Sequence, residues 1–321
     1  MGTRLEHPLR VGPALLLLAA LAAFPFVMQA IDEPFYVVLA SRILVFALVA
    51  TSLNLLVGFG GMVSFGHAAF LGAGAYVVAI LMQHGITSAW IAWPAAAALS
   101  GLVALVIGAI SLRTRGVYFI MITLAFAQMT YFVFVSIKAY GGDDGLPLPA
   151  RSEVMPGVDL GSDILFYYLV LGMVAAGFFA FWRLVNSRFG RVLQGIRENE
   201  TRMEAVGYPV YRYKLVAFVL SGAVAGLGGA LLVNQNELAS PGMLHWPQSG
   251  MLLTMVILGG VGHLWGGVTG AAVLLLLEEV LATYTIHWQL GVGLVLLAVV
   301  LFAPNGLATL LRSVRGSAQD G

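Results

Sequence analysis

Apolar runs of membrane-spanning length follow one another along almost the whole of this chain, and no other feature constrains it as much. They lie at approximately 11–31, 35–57, 62–83, 89–112, 116–138, 164–185, 213–236, 247–262, 266–285 and 288–303. A spanning helix needs roughly 20 predominantly apolar residues, so the pattern predicts about ten spans, of which 247–262 is short enough to be re-entrant. In lipid the backbone must satisfy its own hydrogen bonds, which leaves helices or a closed barrel. Barrel strands alternate in polarity, and runs such as VGPALLLLAALAAF and AAVLLLL do not. Composition agrees: 60% of residues are hydrophobic and 10% charged, with a mean hydropathy of +0.93. An ordinary soluble domain is about 45–50% apolar and about 25% charged. The expected fold class is all-α, a polytopic transmembrane helical bundle, with residues 1–321 forming one membrane domain.

Orientation follows from where arginine and lysine collect. Arg4 and Arg10 precede the first run, and Arg113 and Arg115 follow the fourth. Arg183, Arg188, Arg191, Arg197, Arg202, Arg212 and Lys214 surround the loop after the sixth, and Arg312 and Arg315 follow the last. Thirteen of the sixteen basic residues therefore stand at ends that a ten-span arrangement with a cytoplasmic N-terminus places inside. Both termini are predicted to be cytoplasmic. The exceptions are Arg42, Lys138 and Arg151. The N-terminus has the charges and apolar core of a signal peptide, but the core is long for one and no clear small-x-small cleavage site follows it.

The chain has no cysteine, so disulfides, iron–sulfur clusters and thiolate chemistry are excluded. Its net charge of +1 gives no electrostatic ground for a nucleic-acid partner, and no metal-ligand or cofactor motif is present. Glycines cluster in each half: Gly58, Gly60, Gly61, Gly66, Gly72 and Gly74 early, then Gly222, Gly226, Gly259, Gly260, Gly262, Gly266 and Gly270. They either let helices cross closely or mark broken helices along a path, and the two zones hint at an internal repeat. Residues 141–163, rich in Gly, Pro and Asp, form a turn-rich external segment, either a connector or a cap.

Residues 186–214, NSRFGRVLQGIRENETRMEAVGYPVYRYK, are a polar island holding six of the sixteen basic residues and three glutamates. Residues 189–197 are expected to continue the sixth span as an amphipathic turn or two. Thr201 and Glu204 fit a capping box, each side chain bonding the other's backbone N–H. Gly207 suits a left-handed stop and Pro209 prevents resumption. The expectation is a short helix of under two turns across the cytoplasmic face, either a solvated linker or a rigid knob for a soluble partner.

The stretch RFGRVLQGIRENETRMEAVGYPVYRYKLVAFVLSGAVAGLGGALL resembles the cytoplasmic loop and following span of LivM-type permeases, from the ABC importers of branched-chain amino acids. Glu204-Ala205-Val206-Gly207 is similar to a compressed form of the loop by which importer permeases dock their ATPases. Leu53 to Gly61, Ser64 to Phe70 and Gly74 to Tyr76 resemble the family's early signature, Gly141 to Leu146 its external glycine loop, and Leu258 to Gly262 its late glycine motif. After that motif the chain departs, with His263-Leu264-Trp265-Gly266-Gly267 in place of the usual Thr-Leu and Gly-Pro. The resemblance covers roughly residues 35–305. It implies a multi-pass protein of the cell (inner) membrane and no catalytic role of its own. It also implies a second, LivH-like permease, two ABC ATPase subunits and an external (periplasmic) substrate-binding protein as partners. The ATPase-coupling loop would then present Arg197, Glu198, Asn199, Glu200, Thr201, Arg202, Glu204, Ala205 and Gly207.

Polar groups within the apolar runs are few, and an ionisable group inside a bilayer is a functional candidate. Asn54, Ser64, His67, Gln128 and Glu278 are the candidates for the translocation path. His67 equally suits a hydrogen-bonded packing role, and Glu278 and Glu279, about 100° apart on a helix, cannot face the same way. The alternative function is a secondary transporter or channel for a small polar solute, which would need a coupling-ion site; no Asp or Glu lies clearly mid-span in the first half. The chain has no Walker A motif, so ATP hydrolysis must come from a partner, and no HExxH site or nucleophile–base pairing suggests an intramembrane enzyme. Branched-chain amino acids are the cargo implied by the resemblance, with urea, other amides and aromatic acids as alternatives.

Overall fold

The computed structural model describes residues 11–154, 160–302 and 306. The terminal arginines Arg4, Arg10, Arg312 and Arg315 lie outside these residues. The helices are α1 (Val11–Ala30), α2 (Phe35–Asn54), α3 (His67–Gln83), α4 (Ala89–Ser111), α5 (Val117–Ser136), α6 (Asp163–Asn186), α7 (Arg188–Glu198), α8 (Glu200–Ala205), α9 (Val210–Asn236), α10 (Trp246–Gly259), α11 (Gly266–Tyr284) and α12 (Trp288–Phe302). Every predicted apolar stretch is helical. Among the described residues, however, seven helices are long and apolar enough to cross a membrane: α1, α2 with its extension to Phe59, α4, α5, α6, α9 and α11. The chain is thus an all-α, multi-pass membrane protein. Helices α3, α10 and α12 are shorter, at 17, 14 and 15 residues. The first two are short for a local reason: backbone that is not α-helical, residues 60–66 and 237–245 (the latter including a 3-10 turn, Pro241–Leu244), takes up sequence that the hydropathy pattern alone reads as span or flank.

Helices α2 and α9 are the central columns. Their spanning windows are 72% and 67% buried, against 6% for α1 and 17% for α5. Glycine explains how α9 packs so closely. A Cβ on Gly74 of α3 would collide with the carbonyl of Gly226, and one on Gly229 with the carbonyl of Leu71. Lipid supplies no hydrophobic drive between helices, so close backbone approach through small residues is what holds such crossings. The α10–α11 hairpin is built the same way, with Gly270 against the carbonyl of Met255.

At the periphery, α1 contains Pro25. Proline has no N–H, so the carbonyl four residues earlier, that of Leu21, loses its helical partner. Tyr167 of α6 donates its hydroxyl to that carbonyl at 2.8 Å, and Tyr168 donates to the carbonyl of Ala22 at 2.7 Å. Neighbouring side chains thus satisfy backbone that lipid cannot.

The segment after α5 is a tied-down cap. Strand β1 (Leu146–Pro147) pairs antiparallel with β2 (Leu238–Ala239). The Ser152 N–H donates to Asn234 Oδ1 at 2.6 Å. Arg151 donates to Asp163 Oδ1 at 2.6 Å and to the Leu160 carbonyl at 2.9 Å, lies 3.6 Å from Glu237, and covers the Phe166 ring. Two of the three basic residues that break the charge pattern are therefore paired with acids: Arg151 here, and Arg42 with Glu278 at 3.8 Å.

Candidate coupling loop and helix breaks

The polar island folds into two short helices rather than a tail on α6. Ser187 breaks the helix in an extended conformation, and its Oγ accepts the Gly190 N–H at 3.3 Å, capping α7. The expected continuation of the sixth span is therefore a separately capped helix. Its apolar face, Val192, Leu193 and Ile196, is buried, and Gln194 donates to the carbonyls of Val185 and Gly190.

Asn199, extended at φ −158°, ends α7 and begins α8. Its Oδ1 accepts the Arg202 N–H at 2.9 Å. The capping box expected at Thr201 is displaced by two residues: Thr201 lies inside the helix, and Glu204 points to Arg115 at 3.6 Å. Asparagine caps at least as well as threonine, and Asn199 stands where the backbone is already extended between two helices. Gly207 has a positive φ of 94°, and the Gly207 and Tyr208 N–H groups close the end of α8 on the carbonyls of Glu204 and Met203. The predicted glycine stop is present.

Three ion pairs set the orientation of α8. Glu200 reaches Lys214 at 2.7 Å and Arg115 at 3.3 Å, and Glu204 reaches Arg115. The two pairs of exposed Arg115 contribute about 0–1 kcal/mol each, the Glu200–Lys214 pair is half-buried, and together they position the helix. Arg115 sits in the α4–α5 turn, 85 residues away in sequence from Glu200. Sequence reasoning marked it only as a topology residue, since nothing local ties it to the loop. Thr201, Arg202 and Ala205, with the flanking Glu198 and Asn199, lie on the exposed surface, and no residue of α8 is buried. Val206, Tyr208 and Tyr211 add exposed apolar surface beside them.

Behind this knob lie two helix breaks. The first follows α2. Residues Leu55–Phe59 form a π-helical turn, and residues 60–66 then run without helix to α3. Hydroxyls satisfy backbone here and at the start of α3: Thr123 Oγ1 of α5 accepts the Phe65 N–H at 3.2 Å, Ser64 Oγ within the break the Gly66 N–H at 3.1 Å, and Ser249 Oγ of α10 the Ala68 N–H in the first turn of α3 at 2.8 Å. The second break is the turn between α10 and α11, with Gly262 at a positive φ of 78°. Asn54, fully buried at the end of α2, joins the two. Its Nδ2 donates to the His263 carbonyl at 2.8 Å and its Oδ1 accepts the Gly262 N–H at 3.0 Å. A Cβ on Gly58 would strike both Asn54 Oδ1 and the Gly262 backbone, so the two breaks are in direct contact. Arg197 of α7 then donates from Nη1 to the Gly58 carbonyl.

Of the five residues expected along a path, Asn54, Ser64 and His67 are completely buried in these breaks. His67 Nε2 lies 2.8 Å from Ser221 Oγ, which donates to the Ser52 carbonyl at 2.6 Å. The serine hydrogen being committed there, Nε2 is the donor to Ser221. His67 Nδ1 and Gln128 Oε1 are without hydrogen-bond partners among the described residues. Glu278 is part of the ion pair with Arg42, on a face that this chain leaves partly exposed. Thr123 stands out in the sequence only as one of the few polar residues within the apolar runs, and Ser221 and Ser249 do not stand out, because a hydroxyl's partner across 58 to 181 residues leaves no local signal. Among the described residues no group of three or more His, Asp or Glu is placed to hold a metal ion.

Comparison with known proteins adds an independent finding. Residues 35–303 match the family described as "Branched-chain amino acid transport system / permease component". The chain is 27% identical to the high-affinity branched-chain amino acid transport system permease protein LivM of Salmonella typhimurium, over 92% of this chain and 74% of the relative. It is also 27% identical to the LivM protein of Escherichia coli, over 93% of this chain and 74% of the relative. The autoinducer 2 import system permease protein LsrC of Salmonella paratyphi B is 25% identical over 72% of this chain and 61% of its own length. No solved structure matches the chain at a significant level.

Proposed function

Because the chain belongs to the family of branched-chain amino acid transport system permease components, we propose that it is the membrane-spanning permease subunit of a binding-protein-dependent ABC importer whose cargo is a branched-chain amino acid. The observation that carries this reading is the family match over residues 35–303. In this reading residues 1–321 are one membrane domain of about ten spans, including the short α3, α10 and α12. Both termini and the 186–214 loop face the cytoplasm, and the 141–163 cap faces outward. A second permease of the same kind completes the path, two ATPase subunits grip the α7–α8 knob, and an external binding protein delivers cargo to the capped end. The chain itself is non-catalytic.

The local geometry supports the coupling role. A helix of under two turns, capped at both ends, presents Thr201, Arg202 and Ala205 outward while Met203 packs against Val192, Ile196 and Val210 and ion pairs hold its base. Such a knob transmits displacement, whereas a solvated linker would absorb it. Selectivity then rests largely on the binding protein, which fits an interior whose polar groups mostly bond to backbone.

The test is reconstitution of the purified complex in proteoliposomes. Uptake of radiolabelled leucine should require ATP inside the appropriate compartment, the ATPase subunits and the binding protein, and should survive collapse of ion gradients by ionophores. Uptake by this subunit alone, driven by an ion gradient, would overturn the proposal in favour of a secondary transporter.

A further inference from the structure

Arg197 reaches back from the loop into the helix breaks with a charged side chain. Its guanidinium Nη1 donates to the Gly58 carbonyl in the π-helical turn. Its stem crosses Gly61, where a Cβ would lie 3.1 Å from Arg197 Cγ. On its other side Nη1 lies 2.7 Å from where a Cβ on Gly262 would stand. A single side chain thus spans from α7 to both breaks, at the point where Asn54 already joins them.

Electrostatics favours a cation in that position. Three helical segments end here: the π-helical turn at Phe59, α10 at Gly259 and α7 itself at Glu198. Helix C-termini carry partial negative charge and unsatisfied carbonyls. The carboxylates of Glu200 and Glu204 are engaged elsewhere, with Lys214 and Arg115. A guanidinium offers several donors in a fixed plane, whereas an ammonium is a compact charge on a flexible stem. Glycine at 61 and 262 leaves the space that the stem and the guanidinium occupy.

We propose that Arg197 is a positioning residue that links the coupling loop to both helix breaks, so that a displacement of α7 and α8 moves the π-helical turn and the α10–α11 turn together. This rests on the reading of α8 as the ATPase contact. Arg197 then acts inward, on the permease, while Thr201, Arg202 and Ala205 act outward.

The experiment uses the full complex in nanodiscs, with Arg197→Gln and Arg197→Lys in the otherwise cysteine-free chain. Three quantities are read: ATPase subunits retained on purification, substrate-stimulated ATP hydrolysis, and the rate at which a thiol at Val261→Cys, in the α10–α11 turn, reacts with a maleimide in nucleotide-free and ATP-trapped states. Arg197→Gln should retain the ATPase subunits, lose stimulation by about tenfold, the scale of one charge-assisted hydrogen bond, and abolish the difference in thiol rate between the two states. Arg197→Lys should keep part of both. Full stimulation with an unchanged thiol difference in Arg197→Gln overturns the link, and so does loss of the ATPase subunits, which would make Arg197 a docking contact. If Arg197→Gln does not accumulate, Arg197→Lys decides: wild-type values for both readouts overturn the link. Asn199→Ala and Gly207→Val, which alter α8 itself, separate the two readings. If they too leave stimulation intact, the coupling role of the loop fails; if they abolish it while Arg197→Gln does not, only the Arg197 link fails.

Discussion

Asn54 holds Gly262 through its side chain, accepting the Gly262 N–H at 3.0 Å while donating to the carbonyl of the next residue, His263, at 2.8 Å. One amide therefore satisfies a donor and an acceptor of a turn more than 200 residues away, inside a buried site. Asn54→Leu should leave the Gly262 N–H unpartnered, at about 1–3 kcal/mol, while the His263 carbonyl keeps the Gly266 N–H at 3.0 Å, and should lower the thermal stability of the purified protein. Asn54→Asp should be no better, because the carboxylate can accept from Gly262 but faces the His263 carbonyl without a donor. Thermal unfolding in detergent reads both variants, and wild-type stability in either would show that the two breaks are held by packing alone.

A cap substitution should outweigh a charge substitution in α8. Asn199→Ala removes the bond to the Arg202 N–H, a loss of about 0.5–2 kcal/mol. Gly207→Val forces a β-branched residue into a φ of 94°, a region such side chains avoid. Glu204→Ala removes only an exposed pair with Arg115, about 0–1 kcal/mol. Substrate-stimulated ATP hydrolysis, measured at matched permease abundance, should fall steeply for the first two and little for the third. The reverse order would point to Glu204 as the direct contact with the ATPase.

The α1 docking bond can be isolated by a double-mutant cycle. Tyr167→Phe should cost about 0.5–1.5 kcal/mol, since the Leu21 carbonyl freed by Pro25 then has no donor. In a Pro25→Ala background the residue 25 N–H takes that carbonyl, and the same substitution should cost almost nothing. Equal costs in both backgrounds, by thermal unfolding in nanodiscs, would show that Tyr167 does not compensate for the proline.

Topology is accessible because the chain has no cysteine. Single substitutions Thr201→Cys and Asp143→Cys, expressed in intact cells, should differ when treated with a membrane-impermeant maleimide. Asp143→Cys should label from outside, and Thr201→Cys only after the membrane is opened. Labelling of Thr201→Cys in intact cells would invert the proposed orientation.

Much of this architecture was legible as hydropathy. The ten apolar stretches are helices with bounds within a few residues of those expected, because burial in lipid imposes a long, simple signal. What that signal does not carry is where a helix gives way inside the apolar zone. Residues 60–66 place Met62, Val63 and Phe65 among three glycines and a serine beside an apolar run, yet they run unwound, with the Thr123 hydroxyl accepting the Phe65 N–H in place of a helical carbonyl. The loop was legible in kind and misread in detail. Thr201 with Glu204 is the stronger local pattern, but Asn199 wins because α7 ends there. Arg197 and Glu200 also have inward partners that the sequence does not indicate, the Gly58 carbonyl for Arg197 and Lys214 and Arg115 for Glu200. Those partners lie on other elements, and pairings across a fold leave no periodicity in the chain.

The contact of α3 with α9 through Gly74, Gly226, Gly229 and the Leu71 carbonyl has a mechanical consequence. Where two helices meet through side chains, rotamer changes let them slide by small steps. Here, at Gly74 and Gly229, main chain rests on main chain, and no side chain stands at those points to yield. Sliding would first require the helices to lift apart, so α3 and α9 behave as a clamped joint, with α4 fastened to it where Gly226 abuts Ser100. Any motion that carries cargo through this subunit must turn about that joint as a fixed hub, with the rearrangement falling on the elements around it.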